Sequence, residues 1–131
     1  MTLGVRAAAF DDAGRVFLVR HTYVGGWQLP GGGVEKGETA GEALAKELGE
    51  EGNLVLGEPA ELVGVHLNRA ASPRDHVLFY RCRVRQKAEK IADSEIAEAG
   101  FFALDDLPAE TTPATRRRLA ELAGEPADPY W

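Results

Sequence analysis

The sequence predicts an α/β fold in which a mixed β-sheet is packed between helices. Three observations support this prediction: several short apolar runs typical of strands, a helical segment after a glycine-rich stretch, and a second helical segment near the end of the chain. The strands are too few and too irregularly spaced for a regular βαβ array. A sheet with a helix on each side accounts for all of these elements.

The predicted strands are short and are separated by polar turns. The runs "VRAAAF" and "RVFLVRH" flank "DDAG", which indicates a hairpin at the start of the fold. Two further strands, "ELVGVHLN" and "HVLFYRCRV", are joined by the polar loop "RAASPRD", and "EIAEAGFFAL" indicates another strand. Because no repeat, low-complexity segment or long linker divides the sequence, we expect residues 1–131 to form a single domain.

The first helix is predicted from about Ala40 to Glu51. Thr39 and Glu42 have the spacing of a capping box, which marks the helix start. The sequence "GN" at 52–53 ends the helix, because both residue types tolerate left-handed backbone angles.

A second helix is predicted after Thr112, which is its expected cap, with Pro113 at the first helical position and Gly124 as the stop signal. Leu119 and Leu122 lie on one face of this helix. We interpret "RRR" at 116–118 as its solvated face.

The composition excludes several classes of protein. With a formal net charge of −6, the chain offers no basic surface to bulk nucleic acid or to an anionic membrane. The single cysteine, Cys82, rules out a disulfide framework and is expected to be a buried, inert thiol. Because no leader and no apolar run of about 18 residues is present, we expect a cytoplasmic protein.

The first helix carries carboxylates on the face that should enter the core. Its apolar stripe consists of Ala40, Ala43, Leu44 and Leu48. At about 100° per residue, Glu51 projects between Leu44 and Leu48 and Glu47 between Ala43 and Leu44. Glu50 is at the edge of the stripe. An acidic helix with a solvated face is the simplest alternative, but it does not explain why these side chains share the apolar stripe.

A divalent cation would explain the position of these carboxylates. Three glutamates at i, i+3 and i+4 repel one another, and burial adds a desolvation penalty that a bound cation removes. An all-oxygen ligand set without His or Cys favours Mg²⁺, with Mn²⁺ as an alternative. The preceding glycine-rich loop lets backbone groups approach a ligand such as a phosphate.

The segment "GGVEKGETAGEALAKELGEEGNL", residues 32–54, resembles the signature of the Nudix hydrolases, G-x5-E-x7-R-E-U-x-E-E-x-G-U, in which U is a bulky aliphatic residue. The positions that match are Gly32, Glu38, Glu47, Leu48, Glu50, Glu51 and Leu54. This resemblance implies a Nudix-like α/β/α sandwich. The sequences "WQLPGG" before the segment and "FFALDDLP" after it also resemble the usual surroundings of the motif.

The resemblance also implies an activity. Nudix hydrolases cleave a pyrophosphate linkage in a nucleoside diphosphate joined to a further group, using Mg²⁺ and a water nucleophile. Glu47, Glu50 and Glu51 would be the catalytic, metal-binding residues, with the Gly31 carbonyl as a fourth ligand. One of these glutamates, or an acid from a later loop, would accept the proton of the water.

Two positions depart from the family pattern. Lys46 replaces an arginine that the family pairs with the early glutamate, here Glu38, and an ammonium lacks the planar, two-pronged geometry of a guanidinium. Asn53 replaces a glycine, and either residue accepts a left-handed backbone. Gly32, Glu38 and Lys46 are therefore expected to support the loop rather than to act on substrate.

The residues that bind substrate are harder to predict. Arg20 follows a strand and could contact phosphates, and Trp27 could stack on a nucleobase. Glu95 and Glu98 precede "GFFAL", where the resemblance to the family implies an additional carboxylate. Each has an ordinary structural alternative: a surface ion pair, core packing or a solvated loop. The expected partner is a small nucleotide-type molecule, with a homodimer left open.

Two other functions remain as alternatives. A catalytically silent Nudix-like domain would sense a nucleotide without hydrolysing it, although a sensor has no need of all three helix glutamates. A protein-interaction module would bind neither Mg²⁺ nor nucleotides. The group beyond the diphosphate depends on loops whose shape the sequence does not reveal.

Overall fold

A long first strand, β1 (Thr2–Phe10), forms the centre of the sheet in the computed structural model, which describes residues 2–131. The other strands are β2 (Val16–His21), β3 (Trp27–Gln28), β4 (Gly31–Gly33), β5 (Leu54–Leu56), β6 (Glu61–Leu67), β7 (Asp75–Gln86) and β8 (Ile96–Phe102). The helices are α1 (Ala40–Gly52) and α2 (Pro113–Leu122). Every predicted strand and both predicted helices are therefore present.

The sheet is mixed because β1 pairs in parallel with β7 along its whole length, from Thr2 to Phe10. On its other side β1 pairs antiparallel with β4, and it meets β2 only at the turn, where Phe10 lies opposite Val16. The predicted hairpin is correct at that turn, but residues 4–6 of β1 lie between β4 and β7. Strand β2 pairs instead with β3 and β8, while β5 and β6 both pair with β7.

The two helices cover opposite faces of the sheet. Phe17 and Val19 pack in the same cluster as Ala43 and Leu48 of α1. The alternate residues of β2, Val16 and Leu18, pack with Leu119 of α2. Since neighbouring residues of a strand point to opposite faces, these two clusters are separate layers of the core. The arrangement is the predicted α/β/α sandwich.

Local sequence signals place the helix ends as predicted. Thr39 and Glu42 form the capping box of α1, and Asn53 adopts the left-handed conformation at φ 56° that closes it. Thr112 caps α2 and Pro113 is its first residue. Within residues 2–131, no helix has the length and apolar character needed to cross a membrane.

The arginines of α2 differ from the expected solvated face. Arg116 and Arg117 are exposed, but Arg118 has no exposed surface at all. Arg118 lies on the inward stripe with Thr115 and Leu119, at the i, i+3 and i+4 spacing of a buried helix face. The interpretation of "RRR" as entirely solvated was therefore wrong for Arg118, because helical period decides burial and a run of like charges does not.

Cys82 is buried in the core as expected. Its side chain belongs to the cluster beneath α1, and burial raises the pKa of the thiol to about 12. The cysteine is consequently a thiol at physiological pH and packs as a small apolar residue.

Candidate active site

Glu51 is the most buried of the helix carboxylates, with 6% of its surface exposed. Its Oε1 accepts a hydrogen bond of 2.8 Å from the backbone N–H of Gly31 in β4. Burial raises the pKa of Glu51 to about 7, and the Gly31 hydrogen bond opposes that rise. The charged form of this carboxylate is therefore disfavoured when no cation is near it.

Glu47 lies directly against the glycine strand. A side chain built on Gly32 would place its Cβ 2.7 Å from the carboxylate carbon of Glu47, so the carboxylate would have to move to admit it. Burial is the main cause of a raised pKa for Glu47, followed by the charge of Glu50. Glu50 itself is exposed at the edge of the same face.

His21, the last residue of the run "RVFLVRH", is a neighbour of Glu51. It ends β2, is 7% exposed, and places its Nε2 3.9 Å from the Glu51 Oε2. Burial, followed by the positive charge of Arg6, lowers the pKa of His21, so a neutral imidazole is favoured. Among the partners that residues 2–131 offer, its Nδ1 has none. The strand alternation from Phe17 and Val19 could have revealed that His21 faces α1.

Arg6 is a cation whose charge acts on both Glu47 and Glu51, and the sequence interpretation missed it. One guanidinium nitrogen, Nη1, donates a hydrogen bond of 2.8 Å to the Leu29 carbonyl, which places the charge beside β4. Among the smaller contributions, this charge lowers the pKa of both Glu47 and Glu51. The only signal in the sequence was a single arginine within the apolar run "VRAAAF".

The loop before α1 is closed by Glu38. Its Oε1 accepts a 2.8 Å hydrogen bond from the Glu35 N–H, and its Oε2 lies 3.0 Å from the Lys46 ammonium. The backbone hydrogen bond is the main cause of the lowered pKa of Glu38, followed by the Lys46 contact. The pairing that the resemblance implied is thus present, with an ammonium in place of a guanidinium.

Three of the four residues predicted to bind substrate lie on the other side of the sheet from Glu51. Arg20 forms an ion pair with Glu98, its neighbour across β2 and β8. Trp27 packs edge-on against Phe102, with ring centroids 5.0 Å apart, in the layer beneath α2. Glu95 differs, because its charge raises the pKa of both Glu47 and His21. Of the four, only Glu95 has an electrostatic link to the carboxylates.

A cleft of about 490 Å³ begins at the glycine strand. Gly32 lines it at this end, on the side away from Glu47, and Arg6 and Gln28 lie beside it. A larger cavity, of about 630 Å³, lies between Phe10, Arg81 and Leu122 and contains none of the helix glutamates. The smaller cleft is also lined by none of these glutamates, but it shares Gly32 and Arg6 with their surroundings, since Gly32 lies against Glu47.

The donor set fits a hard divalent cation in chemistry. Glu47, Glu50 and Glu51 would offer a cation only oxygen ligands. Burial raises the pKa of Glu51 and of Glu47, and a bound cation would lower both. Within residues 2–131, no three His, Cys, Asp or Glu side chains are already gathered closely enough to hold a metal ion.

Comparisons with known proteins agree with this geometry. Residues 1–122 match the family described as the NUDIX domain. An ADP-ribose pyrophosphatase of Methanocaldococcus jannaschii is 36% identical over 98 residues, covering 72% of this chain and 57% of that protein. The 8-oxo-dGDP phosphatase NUDT18 of Mus musculus is 36% identical over 101 residues, covering 77% of this chain and 31% of that protein. The chain thus spans less than two-thirds of the length of these relatives.

Solved structures share the fold. A MutT NUDIX hydrolase from Burkholderia pseudomallei superposes with a TM-score of 0.77 at 31% identity, covering 92% of this chain and 97% of that one. An ADP-ribose pyrophosphatase from Streptococcus suis gives a TM-score of 0.72 at 29% identity, covering 96% and 94%. The predicted fold class is confirmed. Because the family match extends far beyond the helix motif at 32–54, it also confirms the resemblance, and the chain belongs to the Nudix family.

Proposed function

We propose that this chain hydrolyses a pyrophosphate linkage in a nucleoside diphosphate joined to a further group, with Glu47, Glu50 and Glu51 holding Mg²⁺ or Mn²⁺. The observation that carries this proposal is the burial of two carboxylates against a glycine strand, Glu51 at the Gly31 N–H and Glu47 beneath Gly32. Such a placement destabilises a protein that makes no use of the charges. The Gly31 carbonyl remains a proposed fourth ligand.

Each residue near the cleft has a proposed role. When bound, the cation would neutralise the diphosphate and lower the pKa of a water molecule. Arg6 lines the cleft and would contact phosphate oxygens with the guanidinium donors that the Leu29 carbonyl does not use. His21 would hold Glu51 in place as a neutral imidazole. Glu95, or one of the helix glutamates, would accept the proton of the water.

The substrate class is proposed from the cleft and from the relatives. The M. jannaschii and M. musculus relatives described above are named for ADP-ribose and 8-oxo-dGDP, which are both small nucleotides. A cleft of about 490 Å³ lies within the size range of small-ligand sites. We therefore propose a small nucleotide rather than a nucleic acid, in agreement with the acidic charge of the chain.

A substrate panel tests the proposal. Nucleoside triphosphates, ADP-ribose, dinucleoside polyphosphates and nucleotide sugars would be assayed with Mg²⁺, with Mn²⁺ and with EDTA, measuring released phosphate, pyrophosphate or nucleoside monophosphate. We expect turnover of at least one class and none in EDTA. If no compound is hydrolysed but one raises the melting temperature, the nucleotide-sensing alternative is correct instead.

Glu50→Gln should lower turnover of the best substrate by at least about a hundredfold, because it keeps the shape of the side chain and removes a charge that the cation needs. Glu125→Gln is the matched control, since Glu125 is an exposed residue beyond α2. The control should keep wild-type turnover. Glu50→Gln activity within a few-fold of wild type would remove Glu50 from the site.

Glu51→Gln should stabilise the protein in EDTA at pH 8 by roughly 1–3 kcal/mol, because the carboxylate is ionised at that pH and burial makes its charge destabilising. The pKa of Glu51 is raised from 4.5 to about 7, so the folded protein holds a proton there that the unfolded chain has lost. Wild-type stability should therefore fall as pH rises through this window, and the variant should lack that fall.

Denaturant unfolding at pH 5 and pH 8 measures this difference, which should be small at pH 5. Mg²⁺ should close the gap at pH 8, because an ion that binds only the folded wild type stabilises it in proportion to occupancy. Equal stability of Glu51→Gln and wild type at every pH, with intact turnover, would show that the charge of Glu51 neither destabilises the fold nor serves the metal site.

Lys46→Arg should keep or increase turnover, and Lys46→Met should reduce it, because the contact with Glu38 orders the loop before the metal-binding helix. The measurement is kcat and KM for the best substrate in all three proteins. Equal values throughout would show that the 3.0 Å contact between Lys46 and Glu38 has no part in catalysis.

A further inference from the structure

The segment Asp128–Trp131, here called the strap, is attached to the end of β6. The Leu67 N–H donates a 2.8 Å hydrogen bond to the Pro129 carbonyl, and the Trp131 N–H donates one of 2.9 Å to the Leu67 carbonyl. Tyr130 forms a parallel bridge with Leu67. The strap, which has no regular pattern in the sequence, is thus held as an extra piece of sheet.

Arg118 secures the strap from beneath. Its Nη1 donates to the Tyr130 carbonyl at 3.1 Å and to the main-chain oxygen of Trp131 at 3.0 Å, while its Nη2 donates to Glu121 at 2.8 Å. Glu121 in turn accepts a 2.8 Å hydrogen bond from the Asp128 N–H. A fully buried arginine is costly unless its donors are used, and here most of them are used on the strap or on its other support.

Aromatic contacts orient the Trp131 ring. Its centroid lies 5.7 Å from that of His66 and 6.1 Å from that of Phe79, in edge-to-face arrangements. The Arg118 guanidinium carbon lies 5.0 Å from the ring centroid. Rings at these separations interact favourably, so the ring is held by the same residues that secure its backbone.

Trp131 also lines the cleft that begins at Gly32. The strand order from the glycine strand is β4, β1, β7 and β6, and the cleft is lined by residues of each of the first three and by Asn68, just after β6. Three strand spacings of about 4.8 Å each make roughly 14 Å between its two ends. Trp131 therefore stands at the end farthest from the helix glutamates.

The far end of the cleft suits a flat, polar-edged group. Trp131 supplies an aromatic surface, and Asn68 adds an amide side chain to the lining. Nucleobases stack on aromatic rings and exchange paired hydrogen bonds with amides, whereas a phosphate would prefer the Arg6 end.

We propose that Trp131 is a specificity-determining contact for the base of the nucleotide, and that Arg118 is the positioning residue that holds Trp131 at the cleft. This inference rests on the proposed function, because it takes the phosphates to lie at Gly32. It assigns recognition of the base to the strap, in place of the earlier candidate Trp27.

The two tryptophans of the chain allow a direct test. Trp27→Phe leaves Trp131 as the only tryptophan, and Trp131→Phe leaves Trp27. Each protein would be titrated in EDTA with AMP, GMP and UMP, and with ribose 5-phosphate as a probe that lacks a base. We expect at least one nucleotide to quench the fluorescence of Trp131 and none to quench that of Trp27, with no response to ribose 5-phosphate.

Other responses would overturn the assignment. Quenching of Trp27 alone, equal quenching of Trp131 by ribose 5-phosphate, or no quenching by any nucleotide would each show that Trp131 does not contact a base. The outcome is separable from that of the proposed function. Quenching without hydrolysis would refute the proposed hydrolase activity and support the base contact of Trp131. Hydrolysis without quenching would support the activity and refute the base contact.

Affinity measurements test the two roles separately. Trp131→Ala should weaken binding of the quenching nucleotide by about tenfold or more, and Trp131→Phe should stay within about threefold, because phenylalanine keeps an aromatic face. Arg118→Met should lower the affinity for that nucleotide relative to ribose 5-phosphate, and Arg118→Lys should restore part of it. If Arg118→Met weakens both probes equally, Arg118 serves only general stability and the positioning role is wrong.

Discussion

The contact between Glu51 and the Gly31 N–H is the interaction on which the rest of this site depends. It joins the inward face of α1 to β4, and it is made by a carboxylate whose burial raises its pKa to about 7. A hydrophobic side chain at this position would suit the core better. The helix therefore gives up stability at Glu51, which is a common feature of residues kept for function.

Strand β4, which is made of glycine, lies between the helix carboxylate Glu47 and the cleft. Glu47 lies against one side of Gly32, where a Cβ would collide with its carboxylate, and the cleft opens on the other side. Any side chain at that position would push the carboxylate away. Pairing with β1 then brings Arg6 to the same place, so one central strand supplies a cation to a site whose anions come from a helix.

The strap and α2 show how the opposite layer of the sandwich reaches the same cleft. Arg118 lies on the buried face of α2, and its guanidinium donates hydrogen bonds to backbone oxygens of Tyr130 and Trp131 outside the helix. Residues far apart in the chain thereby shape both ends of one cleft. The glycine strand and β1 supply Gly32 and Arg6 at one end of the cleft, and Asn68 and Trp131 lie at the other end.

The sequence by itself determined the features that depend on neighbouring residues. Helix α1, its capping box at Thr39, its left-handed end at Asn53 and its row of glutamates all follow local rules of spacing and backbone preference. The motif at 32–54 then indicated the family. These features need no knowledge of distant contacts, and the structure reproduces each of them.

The tertiary structure alone decided which distant residues meet. Three contacts join segments that are 12 to 73 residues apart: the parallel pairing of β1 with β7, the approach of His21 to Glu51 and the burial of Arg118 against the strap. Periodicity shows which face of an element is buried, but not which other element covers it. Long-range partners are chosen by packing and by the need to satisfy buried charges, and these become visible only when the whole chain is folded.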